Sequence, residues 1–181
     1  MSLIYAILGL LQQQQMTGYD LKTACFDQTI AHLWPADQAQ IYRTLDKLES
    51  QGWITCTVEV QQDRPNRKIY QITAVGQKAL KQWLQTPQVL PIGREPFLVQ
   101  LHFAAQIPNQ AILDLLEHQL AAHRQKQADC AAIKFSQPKD ASMSREQFLQ
   151  QLVQESIMRR EQAYIDWLTQ TIGLIQQLPE L

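Results

Sequence analysis

Two clusters of hydrogen-bonding and cationic side chains stand out in this chain. Gln38, Gln40, Tyr42, Arg43 and Lys47 share one helical stretch, and Arg64, Arg67 and Lys68 gather around Pro65 further on. A glutamine amide can pair bidentately with adenine, arginine and lysine neutralise phosphates, and a narrow minor groove draws arginine in. The chemistry available to such a set is recognition of a duplex, with no covalent bond made or broken. Gln38 is the base-reading candidate, Arg43 and Lys47 are groove-facing candidates, and Arg64 suits a minor groove. Arg67 and Lys68 suit phosphates, as does the Tyr42 hydroxyl, and Lys22 is a further phosphate candidate. Ordinary alternatives stand beside each role. Gln40 also completes a capping box opened by Asp37, and Tyr42 also fits as a core aromatic. Arg43 and Lys47 also fit as solvent-facing cations paired with Asp46, and the loop cations as a solvated charge run.

The elements that must position these residues are legible from periodicity. Ser2 is placed to cap a first helix with Leu3, Ile4, Ile7, Leu8, Leu10 and Leu11, apolar nearly all round and therefore buried. Gln12 to Gln15 turn the chain. Thr17-Gly18-Tyr19-Asp20 then resembles a capping box, and Leu21, Ala24 and Cys25 give the second helix an inner face. It should fray near Ile30 to Leu33, because Pro35 forces Trp34 out of helical geometry. Asp37-x-x-Gln40 opens a third helix whose apolar stripe is Ile41, Leu45 and Leu48, and Gly52 suits its left-handed end. Ile54, Cys56, Val58 and Val60 alternate with Thr55, Thr57 and Glu59, the period of a half-buried strand, and Lys68 to Ile72 answers across a hairpin. Thr73 caps a fourth helix with Leu80, Trp83 and Leu84. Trp34 and Trp53 bracket the third helix as core aromatics. Helix-helix-helix-strand-strand-helix is the order of a winged helix-turn-helix.

Pro87, Pro91 and Gly93 break the pattern. The reading is a winged helix-turn-helix DNA-binding domain over 1–85, a linker over 86–94 and a helical dimerisation domain over 95–181, so the fold class is mainly α with a two-stranded wing. In the second half, a helix runs from Arg94 to Ala105, and another opens with Pro108 at its first position and ends near Ile133. After Pro138, Ser142 or Ser144 caps a last long helix. Its stripe is Leu149, Val153 and Ile157, then Tyr164, Leu168, Thr171, Ile175 and Leu178 in steps of four and three, a coiled-coil seam interrupted at Arg159-Arg160-Glu161. A symmetric dimer is expected to cover Leu149, Val153, Ile157, Tyr164, Leu168 and Ile175.

Net charge is −1, which weighs modestly against nucleic-acid binding and keeps open a winged-helix module that binds protein instead. Three widely spaced cysteines, Cys25, Cys56 and Cys130, have no metal-ligand spacing and suit reduced thiols in a cytoplasmic protein. No metal and no cofactor is expected, since Asp114 and His118 lack a third ligand. Phosphate-loop, nucleophile-elbow and H-E-x-x-H patterns are absent, so no enzyme is expected. Apolar runs are too short for a membrane span.

Taken together, Leu8-Gly9-Leu10-Leu11, Thr17-Gly18-Tyr19-Asp20-Leu21, Trp34-Pro35, Gln40-Ile41-Tyr42-Arg43-x-Leu45-x-x-Leu48 and Gly52-Trp53-Ile54 resemble the PadR family of bacterial transcriptional regulators. Arg64-Pro65-Asn66-Arg67-Lys68-x-Tyr70-x-Ile72-Thr73-x-x-Gly76 resembles that family's wing signature. Arg94-Glu95-Pro96-Phe97-Leu98-Val99-Gln100-Leu101-x-Phe103 resembles the start of the C-terminal domain in the subgroup with long terminal helices, departing at Gln100, where lysine is common. The resemblance implies a homodimer on an inverted-repeat operator in double-stranded DNA, usually as a repressor, with the C-terminal helices forming the dimer. It also implies that a small hydrophobic effector such as a phenolic acid can act on some members.

Overall fold

The computed structural model describes residues 2–61, 66–91, 93–133 and 144–179. The chain divides into two compact units, Met1–Val89 and Leu90–Leu181.

In the first unit, α1 (Ser2–Gln13) carries Ile7 and Leu8 at the centre of the core, both with no exposed surface. The next turn holds a two-residue strand, β1 (Met16–Thr17), and then α2 (Gly18–Asp20). The Thr17 hydroxyl accepts from the Asp20 amide at 3.0 Å, and the Asp20 carboxylate accepts from the Thr17 amide at 3.2 Å, so the capping box forms. Beyond it the helix widens into a π-wound stretch, Leu21–Thr29. Hydrogen bonds there step by five residues, as from the Ile30 amide to the Cys25 carbonyl at 3.0 Å. That winding brings Phe26 into the core with Leu21 and Cys25, while Ala24, expected on the inner face, is exposed. The helix ends before Trp34, as Pro35 requires. Trp34 is 40% exposed, contrary to its expected core position, because it stands in the connecting loop.

The third helix, α3 (Gln38–Ser50), opens on a full capping box between Asp37 and Gln40 and buries Ile41, Leu45 and Leu48 completely. Gly52 follows with φ of 68°, the left-handed conformation that ends a helix at little steric cost. Strands β2 (Ile54–Glu59) and β3 (Arg67–Ile72) pair antiparallel from Ile54 opposite Ile72 to Glu59 opposite Arg67. The expected two-stranded wing is a three-stranded sheet, because Met16 pairs with Tyr70 and Thr17 with Ile69 on the far edge of β3. The alternation in β2 holds at its root, where Ile54 is buried, and fades toward the tip, where Val58 is 52% exposed. Tyr70 is buried under the sheet, and burial pushes its phenol up to about 12. In α4 (Ala74–Leu84), Thr73 caps the Gly76 amide and donates to the Gly52 carbonyl at 2.7 Å, tying the end of β3 to the end of α3. Leu80 is buried, Trp83 stacks on Tyr5 at 4.6 Å, and Leu84 is exposed rather than inward.

The second unit contains α5 (Pro96–His102), a 3₁₀ turn (Ala104–Gln106), α6 (Asn109–Ala132) and α7 (Arg145–Gln176). Pro108 lies just before the first helical residue of α6 rather than within it. Ser144 caps α7 in a box with Gln147, and Ser142 lies outside the described residues. The two long helices form an antiparallel hairpin. Asn109 at the start of α6 donates to the Leu178 carbonyl beyond α7, while Gln154 early in α7 donates to the Cys130 carbonyl late in α6, both at 2.9 Å. Phe97, Ala104, Ile112, Leu116 and Leu168 make the core.

This hairpin corrects the expected dimer stripe. Leu168 is fully buried and Ile157 nearly so, and Tyr164 and Ile175 pack against the core of their own chain. The step of four and three marks a helix seam correctly, but its partner is α6, because a chain with two long helices can satisfy the seam internally. Leu149 and Val153 are left 51% and 41% exposed. Glu161, expected to interrupt the stripe, is only 2% exposed. It accepts from Lys126 at 2.6 Å and pairs with His123 Nδ1 at 2.7 Å, while the His123 ring stacks on Tyr164 at 4.2 Å.

Candidate nucleic-acid interface

Helix α3 places its side chains by simple angular bookkeeping. Advancing about 100° per residue from the buried Ile41, Leu45 and Leu48, Ala39 and Arg43 point directly away from the core. Gln38 and Tyr42 fall on one flank, and Gln40 and Thr44 on the other. Gln38, Gln40, Arg43 and Lys47 are exposed and Tyr42 is half-buried. The chain therefore presents a mixed amide, phenol and guanidinium surface on the helix that its neighbours hold outward.

Local bonds refine each role. The Gln40 carbonyl oxygen accepts from the Asp37 amide at 3.2 Å, so that side chain serves the cap and has only its amide hydrogens left to offer. Arg43 Nε donates back to the Ala39 carbonyl at 3.3 Å, which leaves its terminal nitrogens outward. Lys22 is engaged: its ammonium pairs with Asp27 and donates to the Ala36 carbonyl at 3.1 Å, holding the loop that leads into α3. Positioning that loop, rather than gripping phosphate, is what its geometry favours.

Tyr42 faces the wing across a cleft lined by Thr17, Gly18, Tyr19, Asp20, Asn66, Arg67 and Lys68. The antiparallel pairing of β1 with β3 brings these segments together. Arg67 lies 3.6 Å from the Asp20 carboxylate, and Lys68 is exposed beside it. Arg64 lies outside the described residues. On the opposite flank of α3, Gln40, Arg43, Thr44 and Lys47 border a second groove with Leu3, Ile4, Leu33 and Trp34. Sequence reasoning missed Tyr19, which is 64% exposed at the wing cleft, and the exposed Asn66. Only the strand pairing could have placed them there, and a two-residue strand leaves no periodic signal.

Three further features bear on function. Cys25 and Cys130 are buried and Cys56 half-buried, all as free thiols, and burial pushes the Cys25 and Cys130 thiols up, away from the reactive thiolate. Among the described residues no group of three acidic, histidine or cysteine side chains is placed to hold a metal. Among them, too, no helix is long and apolar enough to cross a membrane.

Comparison with known proteins identifies the family. Residues 7–82 match the transcriptional regulator PadR-like family, and residues 93–176 match the C-terminal region of the virulence activator alpha family. The negative transcriptional regulator PadR of Bacillus subtilis is 30% identical over 177 residues, 96% of this chain and 97% of that protein. Its crystal structure with operator DNA superposes with a TM-score of 0.80, covering 97% of this chain and 99% of that one at 30% identity. Its complex with p-coumaric acid gives 0.78, covering 96% and 98% at the same identity. The Vibrio cholerae virulence activator AphA is 27% identical with a TM-score of 0.77, covering 98% and 99%. Identity across nearly the full length of both chains, together with the family match over residues 7–82, places this chain in the PadR-like family of transcriptional regulators.

Proposed function

We propose that this chain is a homodimeric repressor that binds an inverted-repeat operator, with α3 in the major groove and the wing on the flanking backbone. The observation that carries this reading is the shared exposure of Gln38, Arg43 and Lys47 on α3 and of Arg67 and Lys68 on β3, held by one small core. The operator complex of the Bacillus subtilis relative supports it. Helix N-termini enter the groove first in such folds, so Gln38 and Arg43 read bases, while Tyr42, Lys47, Arg67 and Lys68 meet the backbone. Arg64 would join them from the wing tip.

Dimerisation is assigned to the first half of α7. Phe148, Leu149, Leu152 and Val153 lie there between 41% and 53% exposed, an apolar run that a second copy would cover. A small phenolic acid is the effector class the p-coumaric acid complex of the relative suggests. A regulator of this kind works beside the chromosome, in the cytoplasm, and makes or breaks no covalent bond. DNase footprinting on the region upstream of the chain's own coding sequence tests the reading. Two protected half-sites about one helical turn apart are expected; a region protected nowhere would overturn it.

A further inference from the structure

We propose, on the strength of the interface reading above, that Gly18 is a positioning residue for DNA binding, because the Tyr42 ring is seated on it. A Cβ at position 18 would lie 2.7 Å from Tyr42 Cε1 and Cζ and 3.0 Å from its hydroxyl oxygen. Those separations are shorter than side-chain atoms tolerate, so the phenol rests directly on the Gly18 backbone. The backbone itself does not demand glycine: among the described residues only Gly52 has a positive φ. What position 18 supplies is room.

That room fixes where the hydroxyl goes. The ring packs against the first unit's core, and among the described residues its hydroxyl has no hydrogen-bond partner. It opens on the wing cleft, where Tyr19, Asn66 and Lys68 converge. Among the described residues Asp20 is the acidic group of that cleft, and its carboxylate is already taken by the Thr17 hydroxyl at 2.7 Å and by Arg67. Beside the neutral Tyr19 and Asn66 side chains, what faces the cleft among the described residues is the Tyr42 hydroxyl and the Lys68 ammonium, a set complementary to one backbone phosphate of a duplex. Met16 and Thr17 pair with β3, and the Gly18 that follows them does more than open α2, since it also sets the reach of a side chain on α3.

A double-mutant cycle, read by fluorescence anisotropy on an operator duplex, tests this. Tyr42→Phe should weaken binding on the order of tenfold, as for a lost hydrogen bond to a charged group. Its salt dependence should stay unchanged, since a neutral hydroxyl releases no counterion. Gly18→Ala should weaken binding by a similar factor, and should do no further harm in a Tyr42→Ala background, where the ring is gone. If Gly18→Ala fails to fold, Gly18→Ala with Tyr42→Ala should restore folding, and Tyr42→Phe alone then decides the hydroxyl's role. Unchanged affinity in Gly18→Ala or Tyr42→Phe, or a Gly18→Ala loss that persists in full without the ring, would overturn the assignment. A wild-type chain that binds no duplex would overturn the interface reading and this assignment with it.

Discussion

Arg67, which pairs with Glu59 at the tip end of the wing strands, lies 3.6 Å from Asp20, and that same carboxylate closes the capping box of α2. One acidic side chain thus joins the wing to the helix-turn-helix. Both partners are nearly half exposed, so the ion pair itself contributes little in water. The cap contributes more. Asp20→Ala should destabilise the first unit by about 0.5–1.5 kcal/mol, while Asp20→Asn, which keeps an acceptor, should cost less. Urea unfolding measures both, and equal losses would show that charge, not the cap, is what Asp20 supplies.

Gln38 is exposed in the first turn of α3, and no neighbouring group claims it among the described residues. Gln38→Ala should therefore shift site preference, with one base position losing about 1–3 kcal/mol of discrimination. Binding to a set of singly substituted operators reads this. A uniform loss on every sequence would assign Gln38 to the backbone instead.

Burial pushes the Glu161 carboxyl up, but hydrogen bonds from Lys126 and His123, together with their charges, more than offset it and hold the group below its ordinary value of 4.5. A carboxylate held low in the folded state adds stability that is complete above that ordinary value and is lost as pH falls through the lowered one. Glu161→Gln should thus be less stable than wild type at neutral pH, by about 1–3 kcal/mol in urea unfolding. The gap should close on acidification. A gap independent of pH would mean that packing, and not charge, accounts for the loss.

The exposed run on α7 gives a sharper account of assembly than the full stripe did. Leu149→Lys with Val153→Lys should yield a monomer by light scattering and weaken operator binding, with the melting temperature of the hairpin little changed. Leu168→Ala, by contrast, removes a side chain buried in its own chain and should cost about 2–5 kcal/mol of stability. A dimer that survives the double lysine change would move the interface elsewhere.

Local signals carried much of this. The boxes at Thr17 and Asp37, the stripe on α3 and the glycine at its end each depend on residues a few positions apart, and each formed as read. Of the two serines offered as the cap of α7, Ser144 is the one seen to cap it. What escaped depends on distant pairing. Met16 and Thr17 join the sheet through residues at Tyr70 and Ile69, far along the chain. Tyr19 and Asn66 line one cleft for that reason alone. The π winding that admits Phe26 and expels Ala24 is invisible to a search at 3.6 residues per turn. The seam on α7 was legible, but whether it is filled from the same chain or another is not written in its spacing.

The central claim, that α3 and the wing together grip a duplex, is tested most directly by anisotropy titrations of the purified chain on its own upstream DNA across a salt series. Log affinity should fall linearly with log salt from about 50 to 200 mM, and Arg67→Ala with Lys68→Ala should flatten that slope by about one for each phosphate contact removed. Binding that ignores salt, or a slope indifferent to the wing cations, would contradict the claim.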